Sequence, residues 1–479
     1  MALLLIFGAS LAWFKWSRSS QIKSLAVLPF NSLDLKETNE TLGLRLADAL
    51  ILRLGSLRQL QVRPVTAIRK YANQEFDPLA VGRELQVNAI LTGFIQHTDK
   101  QVRLTVRLVQ TSDGQQLWAD TIDYQSTDAL LLQDVLAGQV AQALVPQLKP
   151  EEQRRLATQG TENAEARRLY LTGRFELNRR TGESMKKGIA NFEEAVRLDP
   201  NYAAAWAGIA DCWTILGQNN EVPQAESILN AKAAATKALA LDDSLTETHA
   251  SVALVKFNHE WDWEGTGREF RRAIALNPNH STIWHWYAMF LSAMGRHDDA
   301  LNAISQAEKL DPTSGIIGTN HGWILWCARR DAEAIAQLQK TIDRDPQFAN
   351  AHAKLSFVYE TTGKYAESAE ERAKAWELYD ESQEAAQVRE AYARVGWQSY
   401  AQSDLQRVQK KAQQHYVNPK EFVLAYARLG NKEQALEWLE RGHDEKSEAV
   451  LYMKVDPRFD GLRSDPRFIK LLQQMRLAD

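Results

Sequence analysis

A helical pattern that recurs every 34 residues constrains this chain more than any other feature. Pro312 and Pro346 stand 34 residues apart, and the residues around them repeat in register. The clearest copy runs from Trp284 through Tyr287-Ala288, Leu291 and Gly295 to Ala300, Ile304, Ala307 and Pro312. The next has Gly322, Leu325, Ala334, Leu338, Thr341 and Pro346, followed by Leu355-Ser356, Tyr359, Gly363, Ser368 and Ala375. Earlier copies with longer linkers carry Gly188, Phe192, Ala195 and Pro200, then Trp206, Ala210 and Trp213, then Ala231, Ala235 and Ala238. Phe270, Ala273 and Pro278 follow, and a late copy runs through Tyr426, Gly430, Ala435, Leu439 and Gly442. Small residues mark places where antiparallel helices cross closely, and large ones fill the space between. Proline opens the next helix because it has no amide proton to satisfy. A chain patterned this way folds as stacked helix pairs.

The repeats do not fill the chain. At 479 residues it exceeds the usual size of one hydrophobic core, and 44% hydrophobic with 25% charged residues is globular composition. Lys plus Arg number 57 against 61 Asp plus Glu, so no basic surplus points to nucleic acid. Two cysteines exclude a disulfide framework and a Cys-rich zinc module.

Met1–Phe14 is apolar and uncharged, and Trp13, Lys15, Trp16 and Arg18 follow in the pattern of an interfacial belt. Fourteen helical residues rise about 21 Å against a hydrocarbon core of roughly 30 Å. The segment is expected to be a membrane anchor, complete or the end of a longer helix. A signal peptide and a buried start are the alternatives.

The next stretch alternates helix and strand. Ser24–Phe30 reads as a buried strand, Asn39–Leu60 as a helix and Gln61–Val65 as a second strand. Asp77 before Pro78 caps a helix ending at Leu85. Three strands follow at Ala89–His97, Val102–Gln110 and Gln116–Tyr124, with turns at Asp99-Lys100 and Ser112-Asp113-Gly114. In the middle strand Leu104, Val106 and Leu108 alternate with Arg103, Thr105 and Arg107. A helix near Asp128–Leu144, stopped by Pro146, completes a small α/β domain of mixed sheet. The expected fold class is therefore a mixed-sheet α/β domain followed by an all-α repeat superhelix. The expected layout is an anchor over 1–20, the α/β domain over 21–148 and a linker over 149–163. Repeats follow over 164–378, then carboxyl-terminal helices over 379–479 with a further repeat near 420–445.

The repeat pattern resembles the tetratricopeptide repeat. The segments SLAVLPF, GRELQVNAILTGFIQ, VRLTVRLV and DGQQLWADTIDY are similar to the TolB amino-terminal-like α/β domain. The closing VDPRFDGLRSDPRFIKLL, with DPRF at Asp456 and Asp465, is similar to the ends of bacterial signalling proteins that combine the two. In those proteins the α/β domain lies between one membrane helix and the repeats. Longer relatives carry a winged-helix, kinase or adenylate cyclase output domain ahead of that helix. The resemblance implies a single-pass, membrane-associated protein with a periplasmic soluble part. Lys15, Arg18 and Lys23 after the apolar run pull the opposite way.

No catalytic signature survives inspection. Gly265-Thr266-Gly267 lacks the third glycine of a dinucleotide loop, and Gly363-Lys364 has Val358 where a phosphate loop needs glycine. His259-Glu260 lacks the second histidine of a zinc protease helix. His280 and His285 are five apart, about 140° around a helix, which is no metal pair. Cys212 and Cys327 fall three repeats apart, beyond disulfide reach. The expectation is a non-enzyme with no cofactor, no metal and no nucleic-acid partner in this chain. Acidic and basic residues on the outer helices read as a solvated face.

One constellation remains. Positions one, five and eight after the leading core residue of each first helix cluster on one side and line the concave surface. They supply Leu254, Phe257, Met289, Trp323, Trp326 and Phe357 as an apolar floor and His285 and Thr319 on a polar rim, which Lys354, next to Ala353, completes. Such a stripe needs a cover. The cover is either this chain's own carboxyl-terminal helices or α/β domain, or an external protein or peptide. The expected function is a non-enzymatic, membrane-anchored scaffold or sensor module that binds protein through its repeats. The alternative is the sensory half of a transcriptional or signalling regulator whose output domain lies upstream.

Overall fold

The computed structural model describes residues 22–32, 40–72, 74, 76–97, 102–124, most of 136–144, 160–179, 181–219, 221–414 and 416–478. The expected anchor over 1–20, the Asp99-Lys100 turn and most of the linker over 149–163 lie outside the described residues. The chain divides into two compact units, the second beginning at Gly160.

The first unit contains β1 (Ser24–Val27), β2 (Asn31–Ser32), α1 (Glu40–Gly55), β3 (Gln61–Val62), α2 (Val65–Ile68) and α3 (Pro78–Leu85). The long strands β4 (Ala89–His97), β5 (Val102–Gln110) and β6 (Gln116–Tyr124) follow. The sheet order is β3-β1-β4-β5-β6, with β2 also pairing β4. β1 runs parallel to β3 and β4, while β4, β5 and β6 are antiparallel. The two modes read directly from side chains. Parallel β1 buries Leu25, Ala26 and Val27 completely, whereas β5 buries Leu104, Val106 and Leu108 and turns Arg103 and Arg107 out. Asp77 caps α3 by accepting from the Leu79 and Ala80 amides, with Pro78 at the first helical position. α1 approaches the chain after β1 so closely that a Cβ at Gly43 would lie 1.9 Å from the Phe30 carbonyl oxygen.

The second unit is an all-α array of stacked helix pairs. Its opening helices are α4 (Ala164–Arg179), α5 (Gly182–Leu198), α6 (Ala203–Gln218), α7 (Gln224–Leu241), α8 (Thr246–Val255) and α9 (Trp263–Leu276). A π turn, Lys256–Glu260, continues α8. The regular pairs are α10 (Ser281–Ala293) with α11 (His297–Leu310), α12 (Gly315–Cys327) with α13 (Asp331–Arg344), and α14 (Ala349–Thr361) with α15 (Tyr365–Leu378). Then come α16 (Ser382–Val395), α17 (Trp397–Ala412), α18 (Pro419–Arg428), α19 (Lys432–Asp444) and α20 (Pro466–Gln474).

The small residues of the repeat sit at helix crossings. A Cβ at Gly322 would meet the Leu338 side chain at 2.6 Å, and one at Gly208 would meet the Phe192 ring at 2.6 Å. The period also fixes a turn residue. Trp261, Gly295, Arg329 and Gly363 recur every 34 positions, and all have positive φ, between 57° and 78°. Glycine takes that backbone region at no steric cost, whereas Trp261 and Arg329 do not.

The expected single-pass membrane placement is corrected. Among the described residues, no helix is long and apolar enough to cross a membrane. Of the helices named above only α7 reaches 18 residues, and Glu226, Lys232 and Lys237 interrupt it.

Candidate functional site

Helices α8, α10, α12 and α14 assemble the predicted stripe as one surface. Trp323 and Trp326 are 3% and 0% exposed and meet edge to face with centroids 5.0 Å apart. Residues three apart share a helix face, which is why both rings point the same way. Leu254 and Phe257 are buried in the same cluster, and Met289 and Phe357 pack against it half-buried. Phe257 enters from the π turn and stands edge-on to Phe290 at 5.7 Å.

The roof over this floor is the chain's own carboxyl-terminal segment. Leu451 and Val455 belong to the floor's cluster, and Tyr452 packs against it. The Tyr452 ring is edge-on to Phe257 at 6.3 Å and to Trp323 at 6.0 Å. The Arg458 guanidinium lies 4.2 Å from the centre of the Phe357 ring and 5.5 Å from that of Trp326. Polar ties fix the ends. Trp263 Nε1 donates to the Met475 carbonyl at 2.6 Å, Lys446 Nζ to the His259 carbonyl at 3.0 Å, and Arg329 to Asp460 at 2.6 Å. The two non-glycine turn residues take part: Arg329 through that ion pair, and Trp261 by packing its ring 5.2 Å from that of His443.

The predicted rim behaves differently from expectation. His285 is buried and its Nε2 accepts from Asn320 Nδ2 at 2.7 Å, and Thr319 is fully buried with no partner for its hydroxyl. Neither stands on an open edge. Lys354 Nζ lies 3.9 Å from the centre of the Trp323 ring. Burial, then Lys420 and Arg458, push its pKa down to about 7, against the opposing pull of Glu448 and Asp456.

Beside the apolar floor lies an ionic seam that the sequence reading did not anticipate. Arg428, only 5% exposed, donates to Glu360 at 2.8 Å and to Asp404 at 2.5 Å. Arg407 also donates to Asp404 at 3.0 Å, and Arg372 approaches Glu360 at 3.5 Å. Burial raises the Asp404 carboxyl, but Arg428, Arg407 and Arg372 outweigh it and hold the pKa below the usual range. Asp456 is treated the same way by Arg458, whose Nη2 donates to it at 2.6 Å. The two DPRF copies diverge here. Both aspartates cap with Pro next, yet Arg458 is 3% exposed while Arg467 is 32% exposed and reaches Glu433. No spacing rule separates the copies; only their surroundings do.

Among the described residues no cluster of three or more His, Cys, Asp or Glu side chains could hold a metal ion. Cys212 and Cys327 are free and buried, and burial pushes both thiols well up.

Two family models match. Residues 20–139 match the HilA/YgeH-like transcriptional regulator, second domain, and residues 269–302 match a tetratricopeptide repeat. The first of these carries a different name from the TolB-like resemblance of the same stretch. The chain is 24% identical over 306 residues to transcriptional regulator HilA of Salmonella typhimurium, covering 63% of this chain and 53% of that protein. It is 25% identical over 234 residues to putative adenylate cyclase 3 of Rhizobium meliloti, covering 48% of this chain and 40% of that protein. The chain thus spans about half the length, or less, of these curated relatives. Among solved structures, IFIT1 with Gppp-AAAA matches at 15% identity and a TM-score of 0.41, over 66% of this chain and 86% of that one.

Proposed function

We propose that this chain is the non-enzymatic, protein-binding portion of a transcriptional or signalling regulator. The observation that carries the reading is the extent of the likeness to HilA. Its 306 aligned residues exceed the 159 residues ahead of Gly160, so the likeness reaches into the helical repeats, and the HilA/YgeH-like model covers residues 20–139 of the α/β unit. Helical-repeat arrays act through surfaces rather than through catalytic constellations, and the partner is protein or peptide. Of the proposed groove residues Leu254, Phe257, His285, Met289, Thr319, Trp323, Trp326, Lys354 and Phe357, the rings of Phe257, Trp323, Trp326 and Phe357 lie against Tyr452 or Arg458 of the carboxyl-terminal segment. A partner reaches them by displacing that segment.

The test is transcript profiling of cells that lack the gene, restored either with the wild-type chain or with Trp323→Ala plus Trp326→Ala. A defined set of transcripts should change severalfold on deletion. The wild-type chain should restore it and the double variant should not. An unchanged profile in the deletion strain, with the protein demonstrably present in the parent, would count against a regulator.

A further inference from the structure

The first helices of the array also form a cavity that the carboxyl-terminal segment does not line. Helices α4, α6, α8 and α10 all contribute to this cleft of about 80 Å³, and no residue beyond Trp286 takes part. Small-molecule sites run to roughly 300–1,000 Å³, so this one has room for a single side chain and not for a whole ligand. α4 supplies Asn178, α8 supplies Glu247, and α10 supplies Thr282 and Trp286. Stacking of successive helix pairs brings these distant positions onto one wall.

Several groups on this wall are open to an occupant. The half-buried Glu247 carboxylate makes no hydrogen bond or ion pair with a described residue. The Asn178 amide and the Trp286 indole N–H are likewise unengaged, and none of these polar atoms is sealed from solvent. The other charges are committed. Asp211 Oδ1 accepts from the Ser251 hydroxyl at 2.6 Å, and the Arg174 guanidinium lies 6.0 Å from the centre of the Tyr170 ring. Burial lowers the pKa of His280 against the pull of Glu247, so its imidazole adds no positive charge near neutral pH. Two carboxylates, Asp211 and Glu247, therefore stand against one guanidinium, Arg174, and the surplus charge is negative.

We infer that this cleft takes one arginine side chain of a partner protein, its guanidinium paired with Glu247 and stacked on Trp286. A planar guanidinium offers a fork that meets a carboxylate through two parallel hydrogen bonds, and it also stacks on aromatic faces. A lysine ammonium matches the charge alone. The Asn178 and Thr282 side-chain oxygens can accept guanidinium protons that Glu247 leaves over. Arginine is among the residues that most often anchor an interface from within a pocket. The small volume favours a side chain delivered by a chain segment over a free molecule. Such an anchor presupposes that the array binds protein, and it lies on helices that the carboxyl-terminal segment leaves open.

The experiment is saturation-transfer NMR on the full chain with Nα-acetyl-L-arginine amide as probe. Nα-acetyl-L-citrulline amide has nearly the same shape without the charge, and free L-arginine adds a carboxylate. Saturable binding of the probe is expected, with the citrulline compound at least tenfold weaker and free L-arginine no tighter. Glu247→Gln, at a partly exposed position, and Trp286→Leu, which keeps an apolar side chain against the neighbouring core, should each weaken the probe at least fivefold at unchanged helicity. No saturable signal, equal affinity for the citrulline compound, tighter binding of free L-arginine, or undiminished binding by either variant would each overturn the assignment. A failed titration would leave the transcript experiment untouched, so the anchor and the regulator reading fall separately.

Discussion

Two buried surfaces join the carboxyl-terminal part of the chain to the repeats, and they work in opposite ways. The floor of Phe257, Trp323 and Trp326 under Tyr452 is apolar and non-directional, so its contribution scales with area removed from water. The seam of Arg428, Glu360 and Asp404, with Arg458 on Asp456, is ionic and directional. Its Coulombic gain is largely offset by the cost of taking charges out of water. The lesson is a division of labour. The floor supplies the stability of docking, while the seam ties α17 and α18 to α14.

The sharpest way to break this comparison is Trp323→Ala plus Trp326→Ala. Each truncation of a fully buried tryptophan costs about 3–5 kcal/mol, so the floor should fail as a support. The melting temperature should fall by the largest margin of any variant here, and amides of residues 448–460 should lose protection in hydrogen exchange. An unchanged melting temperature would show that the floor does not carry the roof.

Arg428→Met comes next. It leaves Glu360 and Asp404 buried beside fewer cations, a loss of about 3–5 kcal/mol in urea denaturation. Replacing Glu360 and Asp404 with leucine in the same chain should recover most of it. Failure to recover would mean that the seam is a net source of stability, contrary to the division drawn here.

Lys354→Met probes the junction of the two surfaces and should stabilise the chain modestly. The folded pKa of Lys354, about 7, lies below its ordinary 10.5. The unfolded chain therefore binds the extra proton between those values, and wild-type stability rises with pH across that window. The penalty is complete below pH 7. The gain from Lys354→Met should accordingly be larger at pH 6 than at pH 10, as read by thermal melting at each pH. The smallest effect is expected from Arg329→Gly, which relieves a left-handed backbone but gives up the half-exposed pair with Asp460. These oppose one another, leaving a net change within about 1 kcal/mol.

Much of the architecture was legible because local rules agree with the fold. Proline and small-residue spacing located the helix pairs. The alternation of Leu104, Val106 and Leu108 with arginines located a half-wet strand, and Asp77-Pro78 located a capped helix. The stripe was legible for the same reason, since helical periodicity alone places Trp323 and Trp326 together. The cover was not. Tyr452 meets Phe257 and Trp323 across more than a hundred residues, and nothing local in Val450–Arg458 announces those partners. The seam was hidden more deeply, because Arg428, Glu360 and Asp404 come from three helices far apart in the chain.

Solenoids usually gain and lose repeats freely, since each unit touches only its neighbours. The turn residues Trp261 and Arg329, two periods apart, both reach the same carboxyl-terminal segment, at His443 and Asp460. That span is a measured distance built into the chain. Excising or inserting one 34-residue unit between them would leave every helix pair intact and put one end of the segment out of reach. Repeat number, the most easily varied quantity in an open solenoid, is here locked by the molecule's own closing strap.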